Sequence, residues 1–120
     1  MKYKFAEDDA DKLSKFGIDL TLYGKVSPEL DISKVEVAEG HFEEFKNTSW
    51  FIYYVIEGAG VYVLNDEKLS VSKGDVISIP PNTRIHYFGT MRMVLIVNPP
   101  WQEENETHIR DIKRSENPLK

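Results

Sequence analysis

The chain has 120 residues, 41% of them hydrophobic, and its 20 acidic against 15 basic residues give a formal charge of -5. That length suits one domain, burying roughly two-thirds of the surface its unfolded chain exposes, and the acidic balance disfavours a nucleic-acid partner. Without cysteine there are no disulfides, thiolate nucleophiles or zinc fingers, and the longest apolar run, residues 50–56, is far short of the roughly 20 residues a membrane-spanning helix needs.

Residues 7–16 predict a short N-terminal helix. Ala10, Leu13 and Phe16 recur at spacings of three, Glu7, Asp8 and Asp9 precede Lys12 and Lys15 as a helix dipole prefers, and Gly17 supplies the stop. From residue 18 onward the chain reads as strands. Residues 18–23 alternate, and 32–37 alternate more loosely. Residues 50–56 form a continuous apolar run expected to be buried on both faces. Gly58-Ala59-Gly60 breaks it, and 61–64 and 68–71 flank Asn65-Asp66 as a hairpin. Further strands are expected over 76–79, 83–88 and 91–97, punctuated by Pro80-Pro81-Asn82, Gly89 and Asn98-Pro99-Pro100. Short strands at such intervals indicate an all-β sandwich or barrel. Residues 101–120 are polar and fit a helix, a strand or a tail. No basic n-region and apolar h-region open the chain, so the expected location is cytoplasmic.

Two segments resemble the paired motifs of the cupin family. Residues 50–60, ending in Glu57-Gly58-Ala59-Gly60, resemble the strand and turn that close the first motif. Gly74-Asp75-Val76-Ile77-Ser78-Ile79-Pro80 is similar to the opening of the second. The resemblance implies a double-stranded β-helix, the cupin jelly-roll barrel, with a pocket between its sheets. It divides a single domain into an N-terminal helix and edge strands (1–34), a barrel core (35–100) and a C-terminal extension (101–120).

Catalytic cupins usually hold a divalent metal with two histidines and a glutamate from the first motif and a histidine from the second. Here those positions fall on Lys46, Thr48, Phe51 and Ile85, with His86 one residue late. An ammonium, a phenyl ring and an aliphatic chain offer no lone pair to a cation. The expectation is therefore no metal and no cofactor, and purification with well under one equivalent of transition metal.

The candidate ligand-binding residues are Phe51, Tyr53, Ile85, His86 and Tyr87. Parity with Phe51 and Val55 puts Tyr53 on the pocket side by analogy with the family. Alternation over 83–87 leaves two possibilities: Ile85 and Tyr87 face inward with His86 outward, or a one-residue slip exchanges the faces. The leading functional reading is a cupin that binds a small organic molecule. One alternative is a metal-independent enzyme similar to the family's sugar epimerases and isomerases, with His86 and Tyr53 as its acid–base pair. The other is a metalloenzyme with relocated ligands, His41, Glu43, Glu44 and His86. Trp101, where the chain leaves the barrel, is read first as plain packing, with a cover over the barrel end or a dimer contact as the alternatives. Cupin resemblance further implies a homodimer built by sheet extension.

Overall fold

The computed structural model describes residues 2–119. Nine strands form one curled antiparallel sheet: β1 (Asp11–Lys15), β2 (Ile18–Ser27), β3 (Leu30–Val37), β4 (Gly40–Asn47), β5 (Trp50–Leu64), β6 (Glu67–Ser72), β7 (Val76–Ile79), β8 (Ile85–Asn98) and β9 (Glu106–Asp111). The result is the all-β cupin barrel anticipated from the sequence.

The two longest strands organise it. β5 and β8 pair along their full length, from Trp50 opposite Asn98 to Leu64 opposite Ile85. On its other edge β8 pairs with β4 near its start and with β3 over Asp31–Val37. Glycines read as strand breaks are instead bends inside continuous strands. Gly60 faces Gly89 across the ladder, and a Cβ on Gly89 would run into the backbone of Ala59 and Gly60. With Gly89 at φ 133° and Gly58 at φ 94°, both strands fold over and their pairing resumes after a one-residue register shift between Val55 and Glu57.

The expected helix over 7–16 is not formed. Residues Glu7–Asp9 make one 3-10 turn and Asp11–Lys15 make β1, paired with β2 from Asp11 opposite Leu22 to Lys15 opposite Ile18. Three apolar residues in ten are too few to stabilise so short a helix. Phe16 and Gly17, both at positive φ, supply the two-residue turn that the right-handed twist of a hairpin favours. The Asn65-Asp66 hairpin forms as expected, again with both residues at positive φ.

Residues 50–56 are not buried on both faces either. Phe51, Tyr53 and Val55 point inward, whereas Trp50 and Tyr54 are 44% and 46% exposed. On the outer face Ile52 and Ile56 are half-buried beside the exposed Trp50 and Tyr54. Tyr62, Val71, Ile77, Ile79, Ile85 and Met93 pack into one buried core with Phe51, Tyr53 and Tyr87. The polar C-terminal extension contributes β9 at the edge of β4 and buries Ile112 against Val63 and Phe88.

Candidate functional site

The barrel holds a cavity of about 380 Å³, within the range of small-ligand sites. Alternation on each strand selects its walls. β4 contributes His41, Glu43 and Phe45; β5 contributes Phe51 and Tyr53; β8 contributes Tyr87, Leu95 and Val97. β1 to β3 close the remaining side with Leu13, Lys15, Leu20 and Ser33 among others.

Two tyrosines and a histidine meet on the inner wall. The Tyr53 and Tyr87 rings pack edge to face at 5.8 Å, and Tyr87 stacks on Tyr62 at 4.7 Å. His41 lies 5.1 Å from Tyr87 and 5.2 Å from Phe45, centroid to centroid. Burial pushes both tyrosine hydroxyls above their ordinary range, and Tyr53 and Tyr87 interact through them, so both stay protonated as donors. Burial also pulls the His41 imidazole down to about 3, helped by the nearby Lys15 ammonium and by His86. His41 is therefore neutral, and neither ring nitrogen has a hydrogen-bond partner among the described residues. Its ring nitrogens are left free to hydrogen-bond a bound molecule.

The mouth is built from the turn after β8. The Trp101 backbone N–H donates to Asp31 Oδ2 at 2.9 Å, and its indole Nε1–H donates to Glu106 Oε1 at 2.9 Å. Lys15 Nζ lies 3.9 Å from Glu106 Oε2 and 5.8 Å from the Trp101 ring centroid. Trp101 thus covers the barrel end, with 41% of its surface left exposed. Asp9, Asp11, Asp31, Glu43 and Glu106 line the cavity against the lone ammonium of Lys15, a balance that repels a phosphorylated ligand.

Phe51, Tyr53 and Tyr87 line this cavity; Ile85 and His86 do not. Ile85 faces inward but is part of the packed core and does not reach the cavity. His86 takes the opposite face, as parity with Ile85 and Tyr87 requires. It is buried beneath the C-terminal extension, edge-on to Phe88 at 5.5 Å, with Nδ1 3.6 Å from Glu44 Oε2. Burial lowers its pKa despite the Glu44 charge. Two expectations are corrected by this. His86 and Tyr53 cannot act as a pair across one ligand, because the barrel wall separates them. The quartet His41, Glu43, Glu44 and His86 is likewise split, with the first two inside and the last two outside, where Arg84 and Arg110 approach Glu44 at 3.4 and 3.5 Å. Among the described residues no group of three or more histidine, cysteine or carboxylate side chains is placed to hold a metal. The donor set does not fit the family's usual ion.

Sequence reasoning missed Lys15 and Glu106 as cavity residues, singled out Trp101 only as a cover for the barrel end, and weighed His41 only as a metal ligand. Alternation of His41, Glu43 and Phe45 was the available signal for β4. Lys15 had none, since its segment read as helix.

The sequence profile described as Cupin domain matches residues 32–97, just over half of the chain. An uncharacterized protein of Methanocaldococcus jannaschii is 40% identical over 62 residues, 48% of this chain and 50% of that protein, so the chain spans about half the length of that relative. Among solved structures, Pac13, described as a unique nucleoside dehydratase, is 48% identical with a TM-score of 0.94 over 98% of this chain and 99% of that one. A histidine-to-glutamine variant and two tyrosine-to-phenylalanine variants of the Streptomyces protein, each with uridine, superpose equally well at 47% identity. KdgF from Halomonas sp. is 20% identical with a TM-score of 0.71 over 87% of this chain and 98% of that one, a likeness of fold alone. No helix among the described residues is long and apolar enough to cross a membrane.

Proposed function

This chain belongs to the cupin domain family, and within it we propose a nucleoside dehydratase that works by acid–base chemistry of its own side chains. The observation that carries the reading is His41, the one histidine lining the cavity among the described residues, neutral and unpaired beside two protonated tyrosines. Its likeness to a dehydratase whose histidine and tyrosine variants hold uridine supports the assignment.

Dehydration takes a proton from one carbon and hydroxide from its neighbour. The lone pair of His41 receives the proton. Tyr53 and Tyr87 donate hydrogen bonds to sugar oxygens, which holds the reacting carbons against His41 and eases departure of the hydroxyl. Lys15 places positive charge where electron density builds on the substrate. Phe51, Leu95 and Val97 keep that region dry, and the Trp101 face at the mouth offers a stacking surface to a planar base. The carboxylate-rich lining favours an uncharged nucleoside over its phosphate ester.

The test is calorimetry with uridine and with uridine 5′-monophosphate, followed by incubation with a panel of uridine derivatives and mass detection of a loss of one water. The expected result is uridine binding, weaker binding of the phosphate ester, and water loss from at least one derivative. Absence of uridine binding at millimolar concentration would overturn the reading.

A further inference from the structure

We propose that Glu43 and His108 form a proton relay behind His41, leading from the cavity through the barrel wall to solvent. The proposal rests on the reading of His41 as the proton acceptor. It adds two positioning residues, one of them contributed by the C-terminal strand.

The geometry is directional. Glu43, 6% exposed on the inner side of β4, divides its two oxygens between two imidazoles. Its Oε1 is 3.7 Å from His41 Nε2, and its Oε2 is 2.8 Å from His108 Nδ1. His108 stands on β9 directly opposite Phe45, and its side chain is 48% exposed. Beyond it, His108 Nε2 lies 3.4 Å from Asp111 Oδ1 at the surface. Phe16, from the turn between β1 and β2, stacks on His108 at 6.0 Å and meets His41 edge-on at 6.3 Å. The relay is shielded along one side by that ring.

Chemistry follows from the distances. A carboxylate oxygen and an imidazole nitrogen 2.8 Å apart need a proton between them, because neither lone pair can donate. Glu43 and His108 therefore already share a proton. The 3.7 Å gap to His41 is too long for a hydrogen bond in the resting state. A charge-assisted N–H···O bond settles at about 2.7–2.9 Å, so a protonated His41 is drawn onto Glu43. The groups facing His41 are Lys15 from β1, Tyr87 from β8 and Glu43 from its own strand, with His86 behind the wall. Lys15 opposes positive charge on the ring, and Glu43 is the neighbour that relieves it. Those facing His108 are Glu43 and Asp111.

The proton count closes. The substrate C–H proton passes to His41 Nδ1, and the Nε2–H proton passes to Glu43 Oε1. His108, which already carries on Nδ1 the proton it shares with Glu43 Oε2, releases its Nε2–H to water beside Asp111. The hydroxyl departs as water with a proton from the Tyr53 or Tyr87 hydroxyl, which takes a proton back from solvent, so the elimination is proton-neutral overall.

The experiment is imidazole nitrogen NMR on the unliganded protein, comparing wild type with Glu43→Gln and His108→Phe. Glutamine keeps the shape of Glu43 but cannot pass a proton, and phenylalanine keeps the stack on Phe16. Wild-type His41 is expected to carry its proton on Nε2, facing Glu43. Exchange of that proton with solvent should slow in both variants by about a hundredfold, the low end of what positioned proton transfer contributes. An exchange rate unchanged in either folded variant would overturn the relay. Uridine calorimetry on wild type is independent of this readout. Slowed exchange without uridine binding upholds the relay and removes the dehydratase reading, while uridine binding with unchanged exchange does the reverse.

Discussion

His41 and Tyr87 are cross-strand partners on β4 and β8, their rings 5.1 Å apart on the inner side of the barrel wall. A single pair of neighbouring positions thus supplies a proton acceptor and a hydrogen-bond donor. Burial keeps the first neutral and the second protonated. The same desolvation that would be a cost in an ordinary core sets both groups in usable states at neutral pH.

Tyr53→Phe and Tyr87→Phe should separate binding from packing. Each removes one hydroxyl and leaves the stack of Tyr87 on Tyr62 and the edge contact between Tyr53 and Tyr87 in place. Stability should change by less than about 1.5 kcal/mol, while uridine affinity falls about tenfold. Urea unfolding and calorimetry read the two quantities separately, and unchanged uridine affinity in both variants would remove the tyrosines from the site.

Acid stability should depend on His41. Its pKa is about 3 in the folded chain against an ordinary 6.5. Between those values the unfolded chain holds a proton that the native one lacks, so stability is complete above pH 6.5 and falls as pH drops. The loss is about 1.4 kcal/mol per unit, hence about 2 kcal/mol between pH 6 and 4.5. His86, also lowered by burial, acts in the same direction. His41→Gln should flatten the slope in urea titrations without abolishing it; an identical slope would contradict the buried neutral imidazole.

Adjacent glutamates should behave differently. Glu44 is 1% exposed on the outer side of the wall, with Arg84, Arg110 and His86 around it. Glu44→Gln leaves those cations to their other partners, Asp66 and Glu116, and should cost about 1–3 kcal/mol. Uridine affinity should stay within error of wild type, because the wall separates Glu44 from the cavity. A loss of affinity without loss of stability would place Glu44 on the wrong face.

Phe51→Glu tests the apolar wall. Phe51 is 4% exposed and packs on Phe45 at 5.5 Å. A carboxylate there must be desolvated or take up a proton, and the expected cost is several kcal/mol, on the order of 3. Thermal melts that match wild type would mean residue 51 reaches solvent.

We expect a homodimer. Trp50, Tyr54 and Val76 are 44%, 46% and 62% exposed, and Tyr54 pairs with Val76 in register, so apolar side chains adjoin on the outside of the barrel. Such a patch favours burial against a second copy. Light scattering should report twice 13.9 kDa, and Tyr54→Lys should shift the mass toward one copy. A wild-type monomer at tens of micromolar, an order-of-magnitude concentration suited to ordinary dimer affinities, would refute it.

Local chemistry in the chain was enough for an all-β sandwich or barrel, the Asn65-Asp66 hairpin and the shared face of Phe51, Tyr53 and Val55, while the barrel and its inward side came from the family resemblance. Turn residues and strand alternation act over a few positions, so they are legible without knowing any partner strand. The glycines at 58, 60 and 89 were misread because a bend and a break look alike until the opposing backbone is in place. The helix expected over 7–16 failed for a related reason: β1 exists only because β2 offers its edge. The site lay further out of reach. Lys15, His41, Tyr87 and Glu106 come from four strands that meet only through non-local pairing, and a one-residue parity choice decided that Tyr87 enters the cavity while His86 leaves it. Residue identity set what chemistry each side chain could offer; closure of the sheet decided which of them share a solvent-poor space, and burial there is what holds His41 neutral and the tyrosines protonated.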